Sequence, residues 1–309
     1  MRDTDSLIER GEKPPLARAS TSMAALLGPA PTNFVNYDAE LWLPTVRASF
    51  SSMSQFVLYP WLSLTTMTFF LASFAHLFES PPWWATIPPF AHTVLGGALS
   101  FLMVFRTNTA YSRWWEARLL WGVVNNTTRS VISRAPSMIK NDAVFVEMAT
   151  GFMSFAICLK NHLRDVKTEP SELGAMLPYA LIVQLQESRN PPLAAISNLS
   201  KTIREGIKTE SPEDQLVANA SFFQLSTALD AIANTVGACE RVKNTPTPFG
   251  YVAALRGFLL LWLFTMPFTL IGTYGLVSVP AMGLVGFLFL NLELMAMEIE
   301  QPFGDDADD

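Results

Sequence analysis

The residue types that most often carry catalysis are sparse in this chain and far apart. The three histidines, His76, His92 and His162, share no metal-ligand spacing. His76 and His92 fall within or at the end of apolar runs, on the side opposite His162. Cys158 and Cys239 allow at most one bridge, so no disulfide framework is expected. The sequence has no GxxxxGK[ST] phosphate loop, no HExxH and no CxxC. No nucleophile stands beside a base, so an enzyme is not expected. What remains is a small set of ionisable and aromatic residues at the edges of long uncharged stretches. Arg256 and Glu293 flank one such stretch, and Arg256 lies about five residues inside the span that opens it; a charge at that depth needs a partner or a watery space. Phe101 and Phe105 are one helical turn apart at the end of another. These are the groups of a permeation path rather than of a reaction.

The elements that must position them are set by where charge is missing. Half of the 309 residues are hydrophobic and 16% are charged, against about 25% in an ordinary soluble domain. With a net charge of −6, and little charge overall, a disordered chain, a coiled coil and a nucleic-acid binder are excluded. Ala48–Phe78, Ser80–Phe105 and Gly257–Leu292 contain no Asp, Glu, Lys or Arg. A bilayer core takes about 20 apolar residues per helix. The first two runs each hold one span, and the third holds two, broken at Gly272, Gly275 and Pro280. Four spans are therefore expected, at about 50–78, 86–105, 251–271 and 281–297, with both termini on one side. The short links between spans one and two and between three and four lack Lys and Arg. Arg47 and the basic residues after span two place the termini and the middle segment in the cytoplasm or its equivalent. Trp83 and Trp84 sit where an interfacial aromatic belt would.

Residues 106–247 space their apolar positions at three and four, so this segment reads as a helical cytosolic region. ESRNPPL interrupts it as a loop. The sequons at Asn125, Asn198 and Asn219 lie on the cytosolic side in this topology, so glycosylation is not expected. Residues 1–45 read as a polar, flexible tail with no secretory signal, and 298–309 as an acidic end. The fold class is all-α: a four-span membrane layer on a helical cytosolic layer.

Three segments carry a family resemblance: FRTNTAYSRWWEARLLWG (Phe105–Gly122), NTPTPFGYVAALR (Asn244–Arg256) and ELMAMEIEQPFGDDADD (Glu293–Asp309). In that order and at those spacings they resemble the bestrophin family of pentameric anion channels. The wording is similar to its bacterial, algal and chloroplast branch. With the four spans, the resemblance covers most of 46–309. It implies a homopentamer with one axial pore lined by the second span, passing inorganic monovalent anions. Counting back from RWW puts the hydrophobic neck on Gly97, Phe101 and Phe105, with Gly97 as a wide end and Val94 partly replacing the bulk usual there. The spacing of four puts all three neck positions on one helix face. Packing against lipid or a neighbouring span is the alternative for the two rings. The resemblance further implies a weakly restrictive cytosolic exit at Asn219, Ala220 and Ser221.

In animal members carboxylates after PFG bind calcium, and Asp306 and Asp309 fall on those positions. A solvated acidic tail is the alternative, and no cofactor is required beyond calcium in that case and bound chloride. Arg106, Arg113 and Arg256 would either attract anions or form interhelical salt bridges, Arg256 with Glu293 and the others, with Arg118, to partners such as Glu116. The expected function is a passive anion channel for chloride, with nitrate or bicarbonate as further ions. A bicarbonate channel of a photosynthetic membrane, or a non-conducting membrane scaffold, are the competing readings. The expected location is an integral membrane position, in a thylakoid or other plastid membrane or else in a plasma membrane. The expected partners are lipid and further copies of the chain, with no nucleic acid.

Overall fold

The long apolar runs fold here into helices even where Pro60, Gly96, Gly97 and Pro267 lie within them. The computed structural model describes residues 55–78, 87–139, 141–174, 176–208 and 214–304, and no strand occurs among them. The N-terminal tail, the Trp83–Trp84 pair, Asp306 and Asp309 lie outside the described residues. Helix α1 spans Gln55–Leu77 and α2 spans Pro89–Met138. Then come α3 (Asp142–Leu163), α4 (Pro170–Leu173), α5 (Tyr179–Glu187), α6 (Pro191–Ile207) and α7 (Gln215–Asn244). Helix α8 (Phe249–Tyr274) and helix α9 (Ser278–Glu300) are joined by a 3₁₀ turn, Gly275–Val277. Gly275 has φ 53°, a left-handed conformation that favours glycine at the reversal.

The largest departure from the sequence expectation is α2. The second apolar run does not end an element at Phe105; the helix continues through the basic segment for 50 residues, about 75 Å at about 1.5 Å per residue. A change from apolar to polar side chains does not stop a helix unless a breaker or cap accompanies it. Residues 105–118 hold no Gly or Pro. The hydroxyls of Thr107, Thr109 and Ser112 donate to the carbonyls of Met103, Phe105 and Asn108, one turn back, instead of capping an end. The ESRNPPL segment is a loop only to Asn190. The Asn190 side chain accepts from the Leu193 amide at 3.2 Å, and Pro191 opens α6 at the position where a missing N–H costs nothing.

Two hydrophobic clusters share α2 as a strut. One joins α1, the first half of α2, α8 and α9 through Val57, Leu64, Leu99, Leu259, Leu263 and Leu290. The other joins the second half of α2 to α3, α5, α6 and α7 through Val124, Phe152, Phe155, Leu199, Ile203 and Ile232. By length and apolarity, five helical stretches among the described residues are long enough to cross a membrane, one of them containing both α8 and α9. Helices α3 and α7 are among them, beyond the four spans the sequence suggests.

Candidate functional site

Helix α2 has two faces. His92, Gly96, Leu99, Met103, Arg106 and Ala110 recur at three and four residues and are buried. Val94, Gly97, Phe101 and Phe105 lie on the other side and are exposed, Phe101 by 63% and Phe105 by 50%. The two Phe rings meet edge to face, 4.6 Å between centroids and 89° between planes. The rotation that turns this stripe outward is fixed from α8. A Cβ on Gly96 would come within 2.9 Å of the Trp262 ring, so only glycine admits the indole at this distance. Trp262 Nε1 donates to the His92 carbonyl at 3.1 Å, and its ring stacks on the imidazole at 4.9 Å. A Cβ on the next residue, Gly97, would meet nothing within 4 Å. Adjacent glycines thus do opposite things: one admits a neighbour and the other leaves open space.

The arginines expected near the pore are engaged inside the fold. Arg106 is fully buried; its Nη2 donates to Glu300 Oε2 at 2.6 Å, and its Nε lies 3.7 Å from Glu293 Oε2. Arg256 Nε donates to Glu293 Oε1 at 2.7 Å, and its guanidinium lies 5.7 Å from the Phe56 ring centroid. Glu300 Oε1 also accepts from the Thr247 amide at 3.1 Å. Two guanidinium groups and two carboxylates therefore neutralise one another at the junction of α2, α8 and α9. Arg113 takes no carboxylate among the described residues. It donates to the backbone carbonyls of Val242, Thr245 and Glu300, which are the open C-terminal ends of α7 and α9. Glu116 does form an interhelical pair, but with Arg241 of α7 and not with Arg106 or Arg113, whose acceptors lie elsewhere. The three segments that carry the resemblance meet here. The sequence shows no sign of these carbonyl contacts, because a backbone acceptor has no residue signature.

On α7, Asn219 and Ala220 are exposed. Ser221 is half-buried and borders a groove with Ser137 and Met138 of α2 and with Gly206 and Ile207 of α6. Successive helix residues turn by about 100°, so these three do not share one face. Leu216, Val217 and Phe223 are exposed apolar residues on the same helix that sequence reasoning did not single out. Their exposure is the signal, and it is visible only once the packed face of α7 is known.

No group of three His, Cys, Asp or Glu side chains able to hold a metal ion occurs among the described residues. Asp306 and Asp309, the expected calcium ligands, lie beyond the described residues, which end at Gly304. Gln301–Gly304 border a cavity of about 160 Å³ with Arg113, Arg164 and Lys243, and Asp165, its one carboxylate among the described residues, is held by Lys243 at 2.6 Å. His162 Nε2 is 2.8 Å from Glu240 Oε1, which Asn190 also contacts at 2.8 Å. Both cysteines are free and buried. Burial works to raise the Glu172 pKa, but hydrogen bonds from Asn161, the Glu169 amide and Lys160 outweigh it and hold the carboxyl below its ordinary value.

Residues 35–309 match the family model described as bacterial/fungal bestrophin protein. A voltage-dependent anion channel-forming protein of Synechocystis sp. is 33% identical over 222 residues, 68% of each chain. Another of that name, from Nostoc sp., is 30% identical over 233 residues, 72% of this chain and 73% of its own. In fold, the chain is similar to a crystal structure of a bacterial bestrophin homologue from Klebsiella pneumoniae. That match has a TM-score of 0.68 at 24% identity, covering 82% of this chain and 91% of that one.

Proposed function

This chain belongs to the bacterial and fungal bestrophin family and is an integral membrane protein, and from that premise we propose that it is a passive anion channel. In this reading five copies surround an axis, with the exposed stripe of α2 facing it. The observation that carries the proposal is that stripe: large apolar side chains at 101 and 105, turned away from the fold by the Gly96–Trp262 contact and without cover in a single chain.

Five Phe105 rings and five Phe101 rings at successive levels would present electropositive edges to a passing anion. Their apolar walls would remove part of its hydration, so ions that dehydrate easily pass best. Gly97 leaves the outer level wide, and Val94 narrows it again one turn away. Since Arg106, Arg113 and Arg256 are bonded internally, selectivity at the neck comes from ring edges and dehydration rather than from a fixed guanidinium. Helices α1, α8, α9 and the first half of α2 form the bilayer layer. Helices α3 and α7, wrapped with α6 around the second cluster, form the cytosolic layer, with the exit near Asn219 and Ala220.

The test is anion efflux from proteoliposomes holding the purified protein in chloride, nitrate or bicarbonate. Efflux of all three at graded rates, altered by Phe105→Ala, supports the channel. No efflux in any anion, from particles that lack a five-fold ring with an axial hole, supports a scaffold.

A further inference from the structure

The face of α2 that carries the two Phe rings continues past Phe105. At about 100° per residue, Asn108 and Ser112 follow Phe101 and Phe105 on one side of the helix, and all four are exposed. Arg106 and Ala110 are buried on the other side. Asn108 stands about 4.5 Å along the axis from Phe105, at the level where the apolar stripe turns polar.

The polar groups at this level are not equivalent. The hydroxyl of Thr109 donates to the Phe105 carbonyl at 2.9 Å, and that of Ser112 donates to the Asn108 carbonyl at 2.8 Å. Their protons are held by the backbone, so they turn oxygen outward. The charged side chains of the same stretch are engaged as well. Arg106 is bonded to Glu300, Arg113 to three carbonyls, and Glu116, farther along, to Arg241. Asn108 differs in kind: its side chain is short and neutral and carries two N–H groups.

On the channel reading, from which this follows, we infer that Asn108 is a specificity-determining residue. Its amides form a ring at the inner mouth of the neck and offer N–H donors to an inorganic monovalent anion leaving the Phe105 level. Inside the neck the anion has given up water and received ring edges in return. At the inner mouth its hydration is still incomplete, and hydrogen bonds to an ion are stronger than those between neutral groups. The amides help most the anion that holds its water tightly, such as chloride, and least the one that sheds it readily, such as thiocyanate. The neck ranks anions by ease of dehydration, and the amide ring narrows that ranking.

The experiment is reversal-potential measurement on the purified full chain in planar bilayers. One condition is a sodium chloride gradient, and the other sets chloride against thiocyanate. Asn108→Leu removes the donors and should raise thiocyanate permeability relative to chloride by about three- to tenfold, the scale of one lost hydrogen bond to an ion. Asn108→Gln keeps the donors and should leave that ratio close to the natural one. Asn108→Asp replaces the donors with a ring of carboxylates and should lower chloride permeability relative to sodium by about tenfold. Asn125 is exposed on another face of α2, so Asn125→Asp should leave both ratios unchanged. Unchanged ratios in Asn108→Leu and Asn108→Asp, or an equal shift from Asn125→Asp, overturn the role of Asn108. Loss of the assembled particle in both Asn108→Leu and Asn108→Gln also overturns it, by assigning the amide to contact between copies. In each of these cases the natural chain still passes anions and the channel reading stands. A natural chain without anion current removes that reading, and the amide ring with it.

Discussion

The two halves of α2 pass through opposite surroundings. Along the first half, the buried cluster is thin and the outside is as apolar as the inside, with Phe69, Phe70, Leu261, Leu284 and Leu288 all exposed. The most buried charges of the described residues, Arg106 and Glu293, lie at the end of that layer. Along the second half, Phe152, Phe155, Leu159, Leu199 and Ile232 close a thick apolar core, and the ionic pairs are at the surface. In the proposed topology water organises the second arrangement, since apolar side chains leave it and charges remain in it. A surrounding hydrocarbon removes the advantage of turning apolar residues inward, so packing there rests on close contacts and internal pairing. The same helix serves both layers because its buried side changes partners, not its geometry.

Substitutions should therefore have different effects in the two regions. Arg106→Met is expected to be the most damaging. It leaves Glu300 and Glu293 without their buried partner, a loss of about 3–5 kcal/mol, and the purified protein should aggregate or lose its assembled form on size exclusion. Adding Glu300→Gln to it should restore part of the yield. In the second layer, Phe152→Ala should cost about 3–5 kcal/mol by cavity formation, read as a lower thermal midpoint. The same change at exposed Phe70 should move the midpoint by no more than about 0.5 kcal/mol equivalent. If Phe70→Ala matches Phe152→Ala, the contrast between layers is wrong.

A finer comparison uses the adjacent glycines. Gly96→Ala pushes a methyl against the Trp262 ring and should cost about 1–3 kcal/mol by overpacking. Gly97→Ala meets open space and should be neutral or stabilising by up to about 1 kcal/mol, as alanine favours the helix. Thermal unfolding of the two variants side by side decides whether α2 has the rotation described.

The smallest effect expected is that of pH on the second layer. The carboxyl of Glu172 is held below its ordinary value in the fold, so the unfolded chain binds the proton first. Its contribution is complete above the ordinary carboxylate range and is lost as pH falls through the lowered value. Glu172→Gln should flatten the thermal midpoint against pH in that acid window and leave it unchanged near neutrality. An equal slope in both proteins would remove Glu172 as the cause.

How far the sequence reads depends on the kind of signal. The uncharged runs mark α1, α8 and α9, because exclusion of charge over a long stretch is a local property. The spacing of Gly97, Phe101 and Phe105 marks one face for the same reason, and the position of Arg256 inside an apolar run asks for a partner such as Glu293. The continuation of α2 to Met138 is not marked, since a helix end needs a breaker and none is present at Phe105. Nor is the pairing of Arg106 with Glu300, 194 residues away, or the grip of Arg113 on three carbonyls. The neighbouring basic residues look equally suited to attracting anions until their acceptors are placed.

The account turns on the α2 stripe as the lining of an anion pathway. The direct measurement is the reversal potential of single-channel current in planar bilayers with a chloride gradient, for the natural chain and for Phe101→Ala and Phe105→Ala. The account predicts reversal near the chloride equilibrium potential, with conductance or gating changed by both substitutions. A reversal at the cation potential, no current from a five-fold particle, or currents indifferent to both substitutions would contradict it.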